Sequence, residues 1–141
     1  MSATIAYRIA AVLLLLFAAG HTLGFLDFRP ASPEGLAVFQ AMNSVPFEFN
    51  GRKSSYGQFY EGFGLTVTAY LLFSSFLAWH LGRVARTHPE AIGLLAWAFL
   101  AVQVAGLALN AVYFFIVPIV FSAAISLCLA WAAWRLGRGI A

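Results

Sequence analysis

The sequence is poor in charged residues. Among its 141 residues there are eight Lys or Arg and five Asp or Glu, so charged residues make up only 9% of the chain, whereas soluble domains average about 25%. A soluble fold needs many more charges to cover its surface, so the composition predicts a membrane protein. The few basic residues are scattered, which argues against a nucleic-acid partner.

Residues for metal, nucleotide or redox chemistry are also scarce. Cys128 is the single cysteine, so an internal disulfide is excluded and a thiolate metal site is not expected. His21, Asp27 and Glu61 are a thin set for a metal centre, which needs three or four ligands. The chain also lacks a phosphate-binding glycine loop, a Ser-His-Asp pattern and paired histidines for haem. We therefore expect neither a metal nor another cofactor.

Apolar residues are abundant, at 62% of the chain, and they fall into four runs. Each run has about the 17–25 residues that cross a bilayer. The first could be misread as a signal peptide, but its apolar residues continue to Leu26, so we expect it to be retained as a span. The last two runs carry no charge between them and fold back near 110–118, where Pro118 suits the first turn of the last helix. The four predicted helices cover about 6–26, 57–81, 91–113 and 118–135.

The long hydrophilic connection, 27–55, follows the first predicted helix. Ser32 precedes Pro33 as a helix cap would, and apolar Leu36, Phe39 and Met42 follow at helical spacing. These features predict a short amphipathic helix. The stretch from Val45 to Gly51 alternates apolar and polar residues and ends in Asn-Gly, which predicts a brief extended turn. The whole connection is either a lid over the outer mouth of the bundle or an ordered surface loop with no ligand beneath it. The predicted fold class is all-α: a polytopic membrane four-helix bundle, one domain over 1–141, with a long outer loop.

Basic residues set the orientation. The side that holds both termini and the 82–90 loop is rich in arginine, and cytoplasmic segments carry such an excess. Both termini are therefore predicted to be cytoplasmic. The residues concerned are Arg8, Arg83, Arg86, Arg135 and Arg138.

Small and polar residues line one face of the second predicted helix. At about 100° per residue, Gly57, Glu61, Gly64 and Thr68 fall within a narrow sector. A helix in lipid turns such a face toward other helices, because an ionisable group facing hydrocarbon is costly. We therefore expect Glu61 to look inward.

Polar residues on the other helices extend this pattern. His21 lies beside Gly20 and Gly24, a small-residue pair able to seat a neighbouring helix. Gln103 and Asn110 share one face of the third helix, and Ser122 lies on the fourth. The bland interpretation of His21 is a hydrogen bond to a neighbouring helix, the functional one is a site residue, and the third is an interfacial residue that reaches water.

Depth along the helices defines a candidate site. His21, Glu61, Asn110 and Ser122 all lie three to five residues inside the outer ends of their predicted helices, which places them in one layer. The hypothesis makes Glu61 and His21 the catalytic or central pair. The supporting ligand-binding residues are Asn110, Gln103, Tyr56, Tyr60, Ser122 and Thr68. Both tyrosines also fit the alternative of membrane-interface anchors.

Two short motifs carry a resemblance to a family. His21-Thr-Leu-Gly24 with Phe59-Tyr-Glu-Gly-Phe-Gly-Leu65 resembles a group of small bacterial four-helix integral membrane proteins that are distantly DoxX-like. The resemblance implies a bundle in the bacterial inner membrane and no particular activity. A looser architectural similarity to eukaryotic sterol isomerases and sigma-2 receptor proteins makes a lipid pocket reasonable, but no motif supports it.

Two functions remain open on the sequence. The first is binding of a hydrophobic small molecule or membrane lipid in an outer-half pocket of the bundle, where acid–base chemistry at Glu61 and His21 would make the protein an isomerase or cyclase. The second is a structural or assembly protein, a homo-oligomer in which the polar layer only fastens helices together.

Overall fold

Helix dominates the computed structural model, which describes residues 1–139. Four of its helices are long and apolar enough to cross a membrane, as the sequence predicted. The elements are α1 (Ala3–Leu26), α2 (Pro33–Ser44), β1 (Pro46–Phe49), β2 (Arg52–Ser55), α3 (Tyr56–Thr87), α4 (Leu94–Tyr113) and α5 (Ile116–Gly137), with a 3-10 turn, Pro89–Ala91, before α4. The helices of spanning length are α1, α3, α4 and α5.

Helix ends depart from the predicted bounds where hydropathy and helix propensity differ. The largest difference is at α3, which continues beyond the predicted end at Leu81 to Thr87, since Arg83 and Arg86 favour helix although they are not apolar. The opposite occurs at α4, which begins at Leu94 because Gly93 has a positive φ of 47°.

Two serines cap the helices α2 and α3 at their first turns. The Ser32 Oγ accepts a hydrogen bond from the Gly35 nitrogen at 3.0 Å, and α2 begins at Pro33, so the predicted cap and short helix are confirmed. At α3, the Gln58 nitrogen donates to the Ser55 Oγ, and the Ser55 nitrogen donates to the Gln58 Oε1, both at 3.2 Å. This reciprocal pair is a capping box, which fixes where α3 begins.

A two-stranded hairpin occupies the end of the connection between α1 and α3, where the sequence predicted only a brief extended turn. Its strands pair antiparallel with Phe49 opposite Arg52. Asn50 and Gly51 form the turn with φ values of 51° and 78°. This positive pair is the type I′ geometry that Asn-Gly favours and that matches strand twist.

The described chain groups into two compact units, one of Met1–Ala18 with the chain from Leu71 onwards, and one of Ala19–Tyr70. We call them the first and second units. In the first unit, small residues fill the core: Ala6, Ala10, Ala78, Ala85 and Ala132 are each fully buried. Short side chains let helix backbones approach closely, as in helix packing within lipid.

The surface of the first unit is apolar. Val12, Leu16, Phe73 and Leu127 are all exposed, whereas buried positions include Ser74 and Gln103. A soluble protein places large apolar side chains inside and charges outside. An apolar exterior around an apolar core is the arrangement expected of helices that are surrounded by acyl chains.

Candidate functional site

The small face of α3 receives two other elements of the second unit. A Cβ built on Gly57 would lie 2.3 Å from the Oδ1 of Asn43 in α2, and one on Gly64 would lie 2.4 Å from the Cζ of Phe25 in α1. Neither contact is compatible with a larger side chain in the present geometry. The prediction that this face of α3 seats neighbouring helices is therefore confirmed within the second unit.

His21 and Thr68 are part of the contact between α1 and α3. The His21 Nε2 lies 3.1 Å from the Gly64 carbonyl oxygen, and the Thr22 and Thr68 hydroxyls lie 2.9 Å apart. A carbonyl oxygen only accepts, so the His21 Nε2 carries the proton that is shared. Both predicted site residues thus bind helix to helix, which agrees with the bland interpretation of His21.

Glu61 lies between the two points of close approach. It is one turn from Gly57, which contacts α2, and one turn from Gly64, which contacts α1. A pocket of about 290 Å³ lies here, between the end of α1, α2 and α3. The residues that line it are Phe25, Leu26, Arg29, Phe39, Met42, Asn43, Gly57, Tyr60 and Glu61.

The pocket is lined by both apolar and polar surface and carries two opposite charges. The Arg29 Nη1 donates to the Phe28 carbonyl oxygen at 2.7 Å, and its guanidinium carbon lies 5.5 Å from the centroid of the Phe39 ring. Glu61 is exposed, and across residues 1–139 its carboxylate forms no hydrogen bond or ion pair. Its place on the small face of α3 is as expected, but the elements of this unit do not enclose it.

The proposed pair of Glu61 and His21 is not joined by a hydrogen bond within the described chain. The only polar contact of the His21 ring there is with Gly64. The Phe25 ring stacks on the His21 ring with the centroids 5.8 Å apart. The Phe25 ring also contacts the Tyr60 ring, with the centroids 5.4 Å apart. The aromatic ring therefore separates the imidazole from Tyr60 at the pocket.

Three further predicted residues lie in the first unit. The Gln103 Nε2 donates to the Ser74 Oγ at 3.4 Å, and the Asn110 Nδ2 donates to the Ser122 Oγ at 2.6 Å. Ser122 in turn donates to the Pro118 carbonyl oxygen of its own helix at 2.5 Å. These bonds connect α4 with α3 and with α5, so the predicted inward faces are confirmed. The single layer that would join these residues to Glu61 stays a prediction.

Tyr56 and Tyr60 do not share a pocket. The Tyr56 ring packs on Phe47 of the hairpin, with centroids 5.0 Å apart. Tyr56 lines an open groove of about 1000 Å³ between the hairpin and the first turns of α3, together with Phe59 and Phe63. Because Tyr56 remains 54% exposed, the groove agrees with the alternative of an interfacial aromatic anchor.

Gly20 and Gly24 do not seat a helix within the described chain. A Cβ on either would meet no atom within 4 Å, so that prediction is wrong here. The cause is the choice of face. Residues His21, Thr22 and Phe25 face α3, and the two glycines lie more than about 100° around α1 from that face.

The sequence did not identify Phe25, Arg29 or Asn43 as site residues. Phe25 looked like one more apolar residue of a span, and its seat against Gly64 depends on which helix is the neighbour. Arg29 had a usable signal, since it is a basic residue directly after the end of α1, where a side chain can bind the last carbonyls. Across residues 1–139, no three His, Cys, Asp or Glu side chains group as a metal site would.

No protein-family model, curated protein or solved structure matches this chain.

Proposed function

We propose that this chain is a multi-pass protein of the bacterial inner membrane that binds a hydrophobic small molecule or lipid, with the polar end of the ligand at Glu61. We further propose a place among the small, distantly DoxX-like four-helix membrane proteins. The observation that carries the binding proposal is the pocket where Glu61, Tyr60 and Arg29 meet apolar walls. A few placed polar groups within an apolar pocket are typical of ligand sites.

The length of α3 supports a position near the lipid headgroups. Glu61 and Arg83 are separated along the helix by about 33 Å at about 1.5 Å per residue, and the hydrocarbon core is about 30 Å thick. If Arg83 lies at the cytoplasmic surface, Glu61 lies at the opposite boundary of the core. A polar ligand group would meet it there while the apolar part remains in the membrane.

The orientation follows from the arginines. Arg83 and Arg86 end α3, and Arg135 lies in the last turn of α5. By the positive-inside rule these ends face the cytoplasm, which puts both termini on that side and the pocket on the outer side.

Acid–base catalysis has weaker support than binding. A proton-sharing pair requires the two groups within hydrogen-bond reach, and the His21 Nε2 is bonded to the Gly64 carbonyl. Any isomerase or cyclase activity would therefore depend on Glu61 alone, with His21 holding α1 against α3.

The test is the replacement Glu61→Gln, with Glu48→Gln as the matched control. Glu48 is an exposed carboxylate of the hairpin in the same unit and does not line the pocket. Wild type and both variants are purified in a mild detergent, and mass spectrometry quantifies retained lipids and small molecules per folded protein. We expect Glu61→Gln to lose a retained compound that Glu48→Gln keeps. Equal retention in all three, with only stability changed in Glu61→Gln, would refute the ligand proposal.

An assembly role is the second candidate, and the unoccupied glycine pair favours it. Gly20 and Gly24 leave a flank of α1 without a neighbour, and Leu23 beside them is 64% exposed. Small residues spaced in this way seat helices of a second copy in membranes. Native mass spectrometry of the double replacement Gly20→Leu/Gly24→Leu tests it, because an oligomer built on this flank would dissociate, whereas a monomeric wild type would exclude this role.

A further inference from the structure

Two opposite charges line the same small pocket without pairing with each other. Arg29 comes from the segment after α1 and Glu61 comes from α3. Across the described residues, no ion pair involves either of them. The pocket therefore offers a cationic and an anionic group at the same time.

The local structure fixes each group in its own place. The Nη1 of Arg29 donates to the carbonyl oxygens of Phe28 and Leu26, at 2.7 and 3.4 Å, and the guanidinium lies over the Phe39 ring. These contacts use one nitrogen and leave Nε and Nη2 as donors. Glu61 sits on a helix whose face is fixed by the contacts of Gly57 and Gly64. The Arg29 guanidinium is therefore held by its own contacts, and the backbone that carries Glu61 is held by those of Gly57 and Gly64.

Unpaired charges are costly where water is scarce. At the boundary of the hydrocarbon core, each desolvated charge needs a counter-charge or hydrogen-bond partners. An anionic ligand would satisfy Arg29 and repel Glu61, and an uncharged ligand would supply a counter-charge to neither. A ligand with one charge of each sign satisfies both.

On the basis of the proposed function, we infer that the pocket binds a zwitterionic lipid headgroup, with its phosphate at Arg29 and its ammonium at Glu61. Arginine is suited to the phosphate because its donors match phosphate oxygens in pairs. A primary ammonium is suited to the carboxylate because it donates hydrogen bonds, and the neighbouring Tyr60 ring offers a face that attracts cations. A volume of about 290 Å³ is at the lower limit for pockets that enclose whole ligands, so the headgroup enters and the acyl chains stay outside.

The experiment is a competition between three lipids with identical acyl chains. The full chain is delipidated and offered an equal mixture of phosphatidylethanolamine, phosphatidylglycerol and diacylglycerol, and native mass spectrometry counts each bound lipid. We expect the wild type to prefer phosphatidylethanolamine over either competitor by about tenfold, the factor that corresponds to about 1.4 kcal/mol.

Replacing each of the two charges should lower a different lipid ratio. Glu61→Gln should lower the ratio of bound phosphatidylethanolamine to phosphatidylglycerol, because the ammonium loses its partner. Arg29→Gln should lower the ratio of phosphatidylethanolamine to diacylglycerol, because the phosphate loses its partner, and Arg29→Lys should restore part of it. Arg52→Gln is the matched control, since Arg52 is an exposed cation of the other groove and should leave both ratios unchanged.

The inference would be overturned by a wild-type preference for phosphatidylglycerol or diacylglycerol, by equal loss of all three lipids in both pocket variants, or by the same change in Arg52→Gln as in Arg29→Gln. Retention of lipid without headgroup preference would refute the zwitterion and keep the proposed function. Retention of no hydrophobic compound would refute both.

Discussion

The His21 imidazole donates its Nε2 proton to the carbonyl oxygen of Gly64 at 3.1 Å. The ring also lies nearly parallel to Phe25, with 6° between the planes. The hydrogen bond joins α1 to α3, whereas the stacking lies within α1, where Phe25 itself reaches Gly64 of α3. His21 therefore stabilises the second unit and does not point its bonded nitrogen at the pocket.

His21→Ala should therefore lower stability and spare the ligand. Hydrogen bonds between membrane helices contribute about 0.6 kcal/mol on average and up to about 2 kcal/mol, so we expect a lower melting temperature with unchanged lipid retention per folded protein. The control is His80→Ala, since His80 is exposed on α3 and should change neither quantity. Loss of retained ligand at wild-type stability would show instead that His21 touches the ligand.

Replacing three glycines of α3 by alanine should change stability by amounts that depend on which atoms each new Cβ contacts. At Gly57 the added atom meets the side chain of Asn43 and also its Cα at 3.2 Å, at Gly64 it meets only the outer atoms of the Phe25 ring, and at Gly62 it meets nothing within 4 Å. A backbone yields less easily than a ring, so Gly57→Ala should destabilise most, by about 1–3 kcal/mol, and Gly64→Ala less.

Gly62→Ala is the matched control for this series, and we expect it to be neutral or slightly stabilising because Ala favours helix over Gly. Thermal unfolding in detergent measures all three variants. A loss of stability in Gly62→Ala as large as that in Gly57→Ala would contradict the close approach of α2 to α3.

Asn110 and Ser122 should be coupled energetically. Their side chains are 2.6 Å apart, between Asn110 Nδ2 and Ser122 Oγ, so a double-mutant cycle with Asn110→Ala and Ser122→Ala should give a coupling of about 0.6 kcal/mol or more. Unfolding of the single and double variants measures it. Strictly additive effects would contradict the bond, and loss of retained ligand in Asn110→Ala would favour the ligand-binding role that the sequence predicted.

Thiol labelling tests the proposed orientation, and the single native cysteine makes it simple. In a Cys128→Ala background, Asn50→Cys in the hairpin turn should react with a membrane-impermeant maleimide in intact cells, and Thr87→Cys at the end of α3 should react only after the cells are opened. The reverse pattern would place the termini outside and contradict the positive-inside assignment.

The four helices of spanning length were predictable because a span leaves a long apolar run. The ends of these helices were harder to predict, because hydropathy marks where the apolar part stops and not where the helix stops. Arg83 shows the difference, because it follows the end of the apolar run at Leu81 and still lies within the helix, which continues to Thr87. Only the turn of the hairpin was predictable, from Asn50-Gly51. The strand from Arg52 to Ser55 was not, because it has no alternation of apolar and polar residues.

The candidate site was predictable on α3 and not beyond it. The small residues around Glu61 marked the face of contact because only small residues permit such close approach. Which residues come to that face depends on the rotation of α1 and α2, and a helix such as α1 is apolar on every side. The sequence therefore favoured Gly20 and Gly24 for close packing, whereas Phe25 is the residue that reaches Gly64.

The capping box between Ser55 and Gln58 joins the hairpin to α3 with no linker, because β2 ends at Ser55 and α3 begins at Tyr56. A helix longer than its bilayer accommodates the mismatch by tilting, and a hairpin fused to its first turn tilts with it. If α3 crosses a bilayer as proposed, the angle of the hairpin to the membrane plane changes with the thickness of the bilayer around the protein.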